Sequence, residues 1–165
     1  EGRECILQSE SMSEADREAF LDRFRSAPGA LAGAASDRVL IGFCVLGGIF
    51  GEGIDLKRDS LIGAIIVGTG LPQVSQEKEI LKAYFDAGED SGFDYAYRYP
   101  GMNKVLQAAG RVIRTMEDIG IVALLDERFL QPAYLRLFPR EWERFETVTV
   151  NTVAKRVERF WNEWL

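Results

Sequence analysis

Apolar residues in this chain follow two rhythms. Short unbroken runs read as strands, and apolar positions three and four apart read as helices. Cys5, Ile6 and Leu7, ending at Gln8, predict a short buried strand over 5–8. Ser11 with Glu14 has the spacing of a capping box. The helix it opens runs to about Arg25, with Phe20, Leu21 and Phe24 on one side. Residues 26–37, rich in Ala, Gly, Ser and Pro, predict a loop. The run 38–46 hardly alternates, as a parallel strand covered on both faces would. A second such run, 61–67, ends in the turn Gly68-Thr69-Gly70-Leu71-Pro72. A helix over 75–85 and an acidic loop over 88–92 follow.

Tyr95, Tyr97 and Tyr99 alternate with Asp94, Ala96 and Arg98. That pattern predicts an extended segment packed on the sheet, with stacking of bases on the rings as the alternative. Pro100 or Gly101 opens the next helix, and 119–125 is another buried strand. A last short strand is predicted over 146–150. Asn151 then caps an amphipathic helix carrying Val153, Val157, Phe160, Trp161 and Trp164. The two tryptophans read as core or as a seam to another domain.

Strands alternating with helices, in apolar rather than alternating runs, predict an α/β domain with a mainly parallel sheet. Ligands of such sheets bind outside the carboxyl ends of the strands. Two glycine-rich stretches, 47–53 and 68–72, fall at those ends.

Composition narrows the chemistry. At 165 residues the chain is one domain on the usual size prior, and its first residue is Glu1 rather than Met, so it reads as a piece of a larger protein. There is no His, which excludes Ser-His-Asp and Cys-His nucleophiles and His metal sites. Cys5 and Cys44 are the only cysteines, too few for an iron–sulfur cluster, and both read as buried free thiols. Reduced thiols and the absence of a leader or a membrane-length apolar run point to a cytoplasmic protein without a membrane partner. No Gly-x-x-x-x-Gly-Lys-Ser/Thr is present, so the chain has no P-loop. A net charge of −6 argues against a broad nucleic-acid surface on this domain alone.

The strongest chemical signal is Gln107-Ala108-Ala109-Gly110-Arg111-Val112-Ile113-Arg114. On a helix, Arg111 and Arg114 share a face and Gln107 falls on the same side. Guanidiniums hold a phosphate through bidentate hydrogen bonds and do not lose their protons. Arginines at this spacing also occur on solvated faces, here beside Glu117 and Asp118. Gly110 favours the phosphate reading, because Gly costs about 1 kcal/mol in a helix interior and needs a reason. The second signal is Gly51-Glu52-Gly53-Ile54-Asp55, in a region with five glycines between 42 and 53. Glycines let backbone amides face a ligand, and Asp55 can bond a ribose hydroxyl or an arginine. Neither glycine stretch matches a dinucleotide fingerprint.

Together these blocks resemble motifs V and VI of superfamily 2 helicases of the DinG/XPD branch. Gly47-Gly48-Ile49-Phe50-Gly51-Glu52-Gly53-Ile54-Asp55-Leu56 is similar to motif V, and the 107–114 block to motif VI. Gly70-Leu71-Pro72, Lys82-Ala83-Tyr84 and Asp126-Glu127-Arg128-Phe129 also fit the branch, so the resemblance covers about Cys5 to Glu146. It implies a RecA-like, three-layer second motor domain without a P-loop. The strand and helix carrying motif IV have no counterpart before Cys5. It further implies ATP with Mg²⁺, both held mainly by a first helicase domain of the same protein, and single-stranded DNA as partner. Arg111 and Arg114 are then the catalytic arginines, and Gln107, Gly110, Gly53 and Asp55 the ATP-binding residues. Gly51 and Glu52 contact DNA or couple the two ligands. A non-catalytic α/β interaction domain of the same fold is the rival reading.

Overall fold

The computed structural model describes residues 2–26, 38–52, 60–88, 90–113, 115 and 117–164, with the side chains of 26, 38, 51 and 52 set aside. Four strands form two parallel pairs. β1 (Gly2–Leu7) runs beside β2 (Arg38–Phe43), with Gly2 opposite Arg38 and Leu7 opposite Phe43. β3 (Gly63–Val67) runs beside β4 (Ile121–Leu125), with Gly63 opposite Ile121. The expected mainly parallel sheet is thus present as two parallel pairs among the described residues.

Between β1 and β2 lies α1 (Glu14–Ser26). Its cap is Ser13 with Asp16, two residues later than the Ser11–Glu14 pairing the sequence suggests. The Asp16 N–H donates to Ser13 Oγ at 3.2 Å, and the Ser13 N–H donates to Asp16 Oδ2 at 3.0 Å. The Asp carboxylate reaches back as a Glu would, so the later pair meets the same need. Phe20 of α1 is buried and stacks on Phe50 of the short helix α2 (Ile49–Glu52), centroids 4.4 Å apart. Both Phe20 and Phe24 press on Gly42 of β2, where a Cβ would sit 2.7 Å from the Phe24 ring.

α3 (Gln76–Ala87) starts one residue after its cap, Ser75, whose Oγ accepts from the Lys78 N–H. The tyrosine-rich stretch that follows is helical rather than extended. Asp94–Arg98 is a π turn leading into α4 (Tyr99–Ala109), and the Tyr99 N–H reaches Asp94 O. Pro100 explains the widening. Its ring would collide with the carbonyl four residues back and it has no N–H to donate, so a regular turn is excluded there. The π turn buries Asp94, Ala96 and Tyr97. Asp94 is held by Arg98 and by Arg136, the latter at 2.6 Å, and the Arg98 guanidinium lies over the Phe93 and Tyr134 rings.

The main core joins Ile66 of β3 to Met102, Val105 and Ala109 of α4 and to Phe129 and Tyr134. Phe129 sits in a 3₁₀ turn, Glu127–Leu130, and Tyr134 in α5 (Pro132–Leu135). At its N-terminal turn α4 meets the loop after β3 backbone to backbone. A Cβ on Gly101 would lie 2.6 Å from Thr69 O, and one on Gly70, which has φ +67°, 2.6 Å from Gly101 O.

Several expectations are corrected. The runs over β2 and β3 are not covered on both faces. Val39, Ile41, Phe43 and Val45 alternate outward, and Ile65 and Val67 are 72% and 73% exposed. Described helices pack on the opposite side of each strand, against Gly42 and Ile66. Cys5, which pairs with Ile41, and Cys44, just beyond β2, are exposed rather than buried. Residues 146–150 form no strand. α6 (Val153–Trp164) starts after Asn151. The turn ahead of it is tied by Thr149 and Thr152, the Thr149 N–H donating to Thr152 Oγ1 at 2.9 Å. Trp161 is half-buried and Trp164 is 58% exposed, so neither is core. No described helix is long and apolar enough to cross a membrane.

Candidate functional site

The described candidate residues lie at both ends of the parallel strands. The glycine turns follow the carboxyl ends of β2 and β3. The exit of α4 instead lies beside the amino ends of β3 and β4, where a Cβ on Gly120 would meet the Val112 side chain and Ile62 O. Beyond β2 the chain turns tightly, the Gly48 N–H donating to Val45 O at 2.9 Å, and enters α2, which holds Gly51 and Glu52. Gly47 has φ +75°, a left-handed value that favours glycine. A Cβ there would lie 2.7 Å from Cδ of Lys104, so the lysine stem of α4 lies over the turn. α2 also packs on α4. The lead-in to the Gly51–Asp55 block and the helix bearing Gln107 are therefore neighbours, although 50 residues and more separate them in sequence. Gly53 and Asp55 lie outside the described residues, so the structure positions only the start of the block.

Gln107 is exposed on α4, two residues from its end. The helix does not continue through the arginines as a shared i, i+3 face requires. It ends at Ala109 with Gly110 as C-cap, and the Gly110 N–H donates to Leu106 O at 2.9 Å. Arg111 and Val112 continue in tighter turns, to Ala108 O at 3.2 Å and Ala109 O at 3.0 Å. Val112 is buried and anchors this exit, while Arg111 is half-buried with its own interaction partner. Arg114 lies outside the described residues. Gly110 has φ −66° and ψ −2°, a conformation open to any residue, so the backbone angle does not demand glycine there.

Beyond β4, Asp126 and Arg128 follow the carboxyl end of the strand. The Arg128 guanidinium forks onto the carboxylate, Nε to Oδ1 at 2.9 Å and Nη2 to Oδ2 at 2.6 Å, and the Arg128 N–H donates to Oδ1. This fork holds the Asp126 carboxyl below its usual range. The pair is satisfied within itself and braces the 3₁₀ turn that delivers Phe129 to the core.

Two neighbours of the site carry no motif signal, Gln8 and Lys104. Lys104 stands three residues before Gln107, on the same side of the helix, and that spacing is legible. Gln8 is a polar residue closing an apolar strand, with nothing in its neighbourhood to mark it.

Comparison with known proteins gives the family of the chain. The family described as helicase C-terminal domain matches residues 1–145. A regulator of telomere elongation helicase 1 homolog from Caenorhabditis briggsae is 32% identical over 123 residues, which is 68% of this chain and 12% of that protein. The ATP-dependent DNA helicase DinG of Photobacterium profundum is 34% identical over 89 residues, 53% of this chain and 13% of that protein. A probable ATP-dependent helicase of Methanocaldococcus jannaschii is 24% identical over 140 residues, 74% of this chain and 21% of that protein. The chain thus spans between 12% and 21% of the length of these relatives. Its α/β make-up and parallel strands fit a RecA-like fold. The chain belongs to the helicase C-terminal domain family, as the second, RecA-like helicase domain of the DinG/XPD-like branch of superfamily 2.

Proposed function

We propose that this chain is the second motor domain of an ATP-dependent DNA helicase, completing an ATP site begun by a first motor domain of the same protein. Arg111 and Arg114 supply positive charge to the γ-phosphate as its oxygens take up charge in the transition state. Gln107, Gly110, Gly53 and Asp55 bind the nucleotide, which with Mg²⁺ is held mainly by the first domain. Gly51 and Glu52 link the nucleotide to a single-stranded DNA track, so that hydrolysis is coupled to translocation.

The observation that carries this reading is the seating of the turn at Gly47 under Lys104 of α4, three residues from Gln107. It supports a shared role for the glycine block and α4, since the lead-in to that block follows the carboxyl end of β2, and ligands of open parallel sheets bind outside such ends. Gly110 adds support. Its conformation suits any side chain, so its lack of one fits the close approach of a phosphate. A three-layer domain belongs to the same proposal. A further strand and helix carrying motif IV, from the longer protein, would cover strand faces that are bare here, since parallel strands are normally buried on both sides.

The test is ATP hydrolysis by the full-length protein. Arg114→Ala should lower kcat by roughly 10³-fold or more with little change in KM, because the lost interaction belongs to the transition state. Arg114→Lys should restore little, since a point charge does not reproduce the guanidinium fork. The 165-residue chain alone, which has no P-loop, should hydrolyse no ATP. A raised KM with unchanged kcat in Arg114→Ala, or DNA-stimulated hydrolysis by the chain alone, refutes the assignment.

A further inference from the structure

β1 ends at Leu7, yet its hydrogen-bond ladder with β2 continues by one residue through a side chain. The backbone N–H of Gln8 donates to Phe43 O at 2.8 Å. In a regular parallel ladder the carbonyl of that same residue would accept the N–H two places further along the partner. Here the N–H of Val45 donates to the side-chain oxygen of Gln8, Oε1, at 2.9 Å. The carboxamide takes the place of a backbone carbonyl. The main chain is then free to leave the sheet towards Ser9 and α1, while Val45 remains bonded as if the strand had gone on.

Val45 is the pivot of the turn that follows. Its N–H is held by Gln8 and its carbonyl accepts from the Gly48 N–H. Gln8 also closes against the turn itself, for a Cβ on Gly48 would lie 3.3 Å from Gln8 Nε2. Lys104 lies over Gly47. The turn is thus touched by the end of β1 and by α4, immediately before the block that begins at Gly51. A turn fixed at both its N–H and its carbonyl has few ways to re-aim the residues after it.

We infer that Gln8 is a positioning residue for the glycine block: its side-chain carbonyl clasps Val45 and so fixes the direction in which the backbone of Gly51 and Glu52 leaves β2. This inference rests on the coupling role proposed for that block. Gln8 touches neither ligand in this scheme. Its loss should leave the basal reaction largely intact and weaken the response of the reaction to DNA.

The experiment compares full-length wild type with Gln8→Leu, which keeps the bulk and loses the acceptor, and Gln8→Glu, which keeps an oxygen for the Val45 N–H. Basal and single-stranded-DNA-stimulated ATPase are read together with thermal melting and amide exchange over residues 44–52. A misplacement of 1 Å can cost roughly 10²-fold in rate, so a fall of about tenfold in stimulation is expected for Gln8→Leu. Its basal rate should stay within about twofold of wild type, because the affected block is argued to couple ligands rather than to react. Exchange at Val45 should quicken in Gln8→Leu, and Gln8→Glu should restore both the stimulation and the protection.

Unchanged stimulation in Gln8→Leu overturns the inference, as does a fall in both rates that tracks a lower melting temperature, or a failure of Gln8→Glu to rescue. If wild type itself shows no stimulation by DNA, the coupling reading fails. The clasp is then decided by exchange at Val45, faster in Gln8→Leu and restored in Gln8→Glu if it exists.

Discussion

Gly101→Ala sets two physical effects against each other, and the structure says which prevails. Replacing a helical glycine by alanine favours the helix by about 1 kcal/mol where nothing else intervenes. At Gly101 the new methyl would meet backbone rather than space: Thr69 O at 2.6 Å, and Gly70 C and Leu71 N at 3.1 Å. Ordinary contact begins near 3.4 Å, so α4 or the turn after β3 must retreat by about 0.8 Å, the difference between 3.4 and 2.6 Å. Neither yields readily. Gly70 is fixed at φ +67°, and Met102, one residue along α4, is 2% exposed in the core. Overpacking of this kind costs about 1–3 kcal/mol. Because the methyl meets backbone in all three contacts, the upper part of that range applies, about 2–3 kcal/mol. Net of the helix gain, the variant should be less stable by about 1–2 kcal/mol. For a domain of this size each kcal/mol moves Tm by about 2–4 °C, so a fall of about 2–8 °C is expected. Thermal and urea melting followed by circular dichroism measure it. Gly110→Ala is the control, because a Cβ there would lie 3.2 Å from Leu106 O with φ already at −66°. It should change stability by about 0.5 kcal/mol or less, since that contact is only about 0.2 Å inside ordinary separation and the helix gain opposes it. Gly101→Ala melting at or above wild type would refute the backbone contact as the dominant effect.

Two further outcomes test the core and the edge. Asp94→Ala leaves Arg98 beside Phe93 and Tyr134 without its carboxylate, and should cost about 3–5 kcal/mol in urea titration, the usual penalty for breaking a buried pair from one side; a cost near zero would mean that solvent already screens the cluster. The Asp126 carboxyl titrates below its usual range because Arg128 is bonded to it, so this pair stabilises the fold above the unfolded value of about 4 and loses that contribution as pH falls through the lower folded value. Asp126→Asn should therefore melt below wild type at pH 7, with the gap closing progressively as pH falls below about 4; a gap that persists in acid would assign the effect to packing.

Much of the fold was legible because parallel strands announce themselves as short apolar runs. Those over β3 and β4 fall within two residues of the observed bounds, as do the end of β1 and the start of β2, while β1 begins three residues before the predicted Cys5. What escaped has local physical causes. Tyr95, Tyr97 and Tyr99 alternate like a strand, but Pro100 imposes a π turn in which Tyr97 and Asp94 turn inward together. Gly110 reads as a glycine inside a helix until its capping hydrogen bond is seen, and Arg111 then leaves the helical face. Sequence pattern placed the carboxyl-edge turns correctly in kind, but not the reach of Lys104 over Gly47, which depends on how α4 docks. Coverage of a strand face is likewise no local property. Val39, Ile41, Phe43 and Val45 look the same in sequence whether a helix lies over them or not.

That outward row has a consequence for handling the polypeptide. β-branched and aromatic side chains at alternate positions, on strands whose outer edges lack partners among the described residues, form the kind of surface on which a second chain can add in register. Produced alone, the 165-residue chain should self-associate with rising concentration, and a charge at Ile41 or Ile65 should keep it dispersed without disturbing α1 or α4, which lie against the other side. In a longer polypeptide, adjoining segments that shield this row would act as a built-in guard against aggregation while the strands pair.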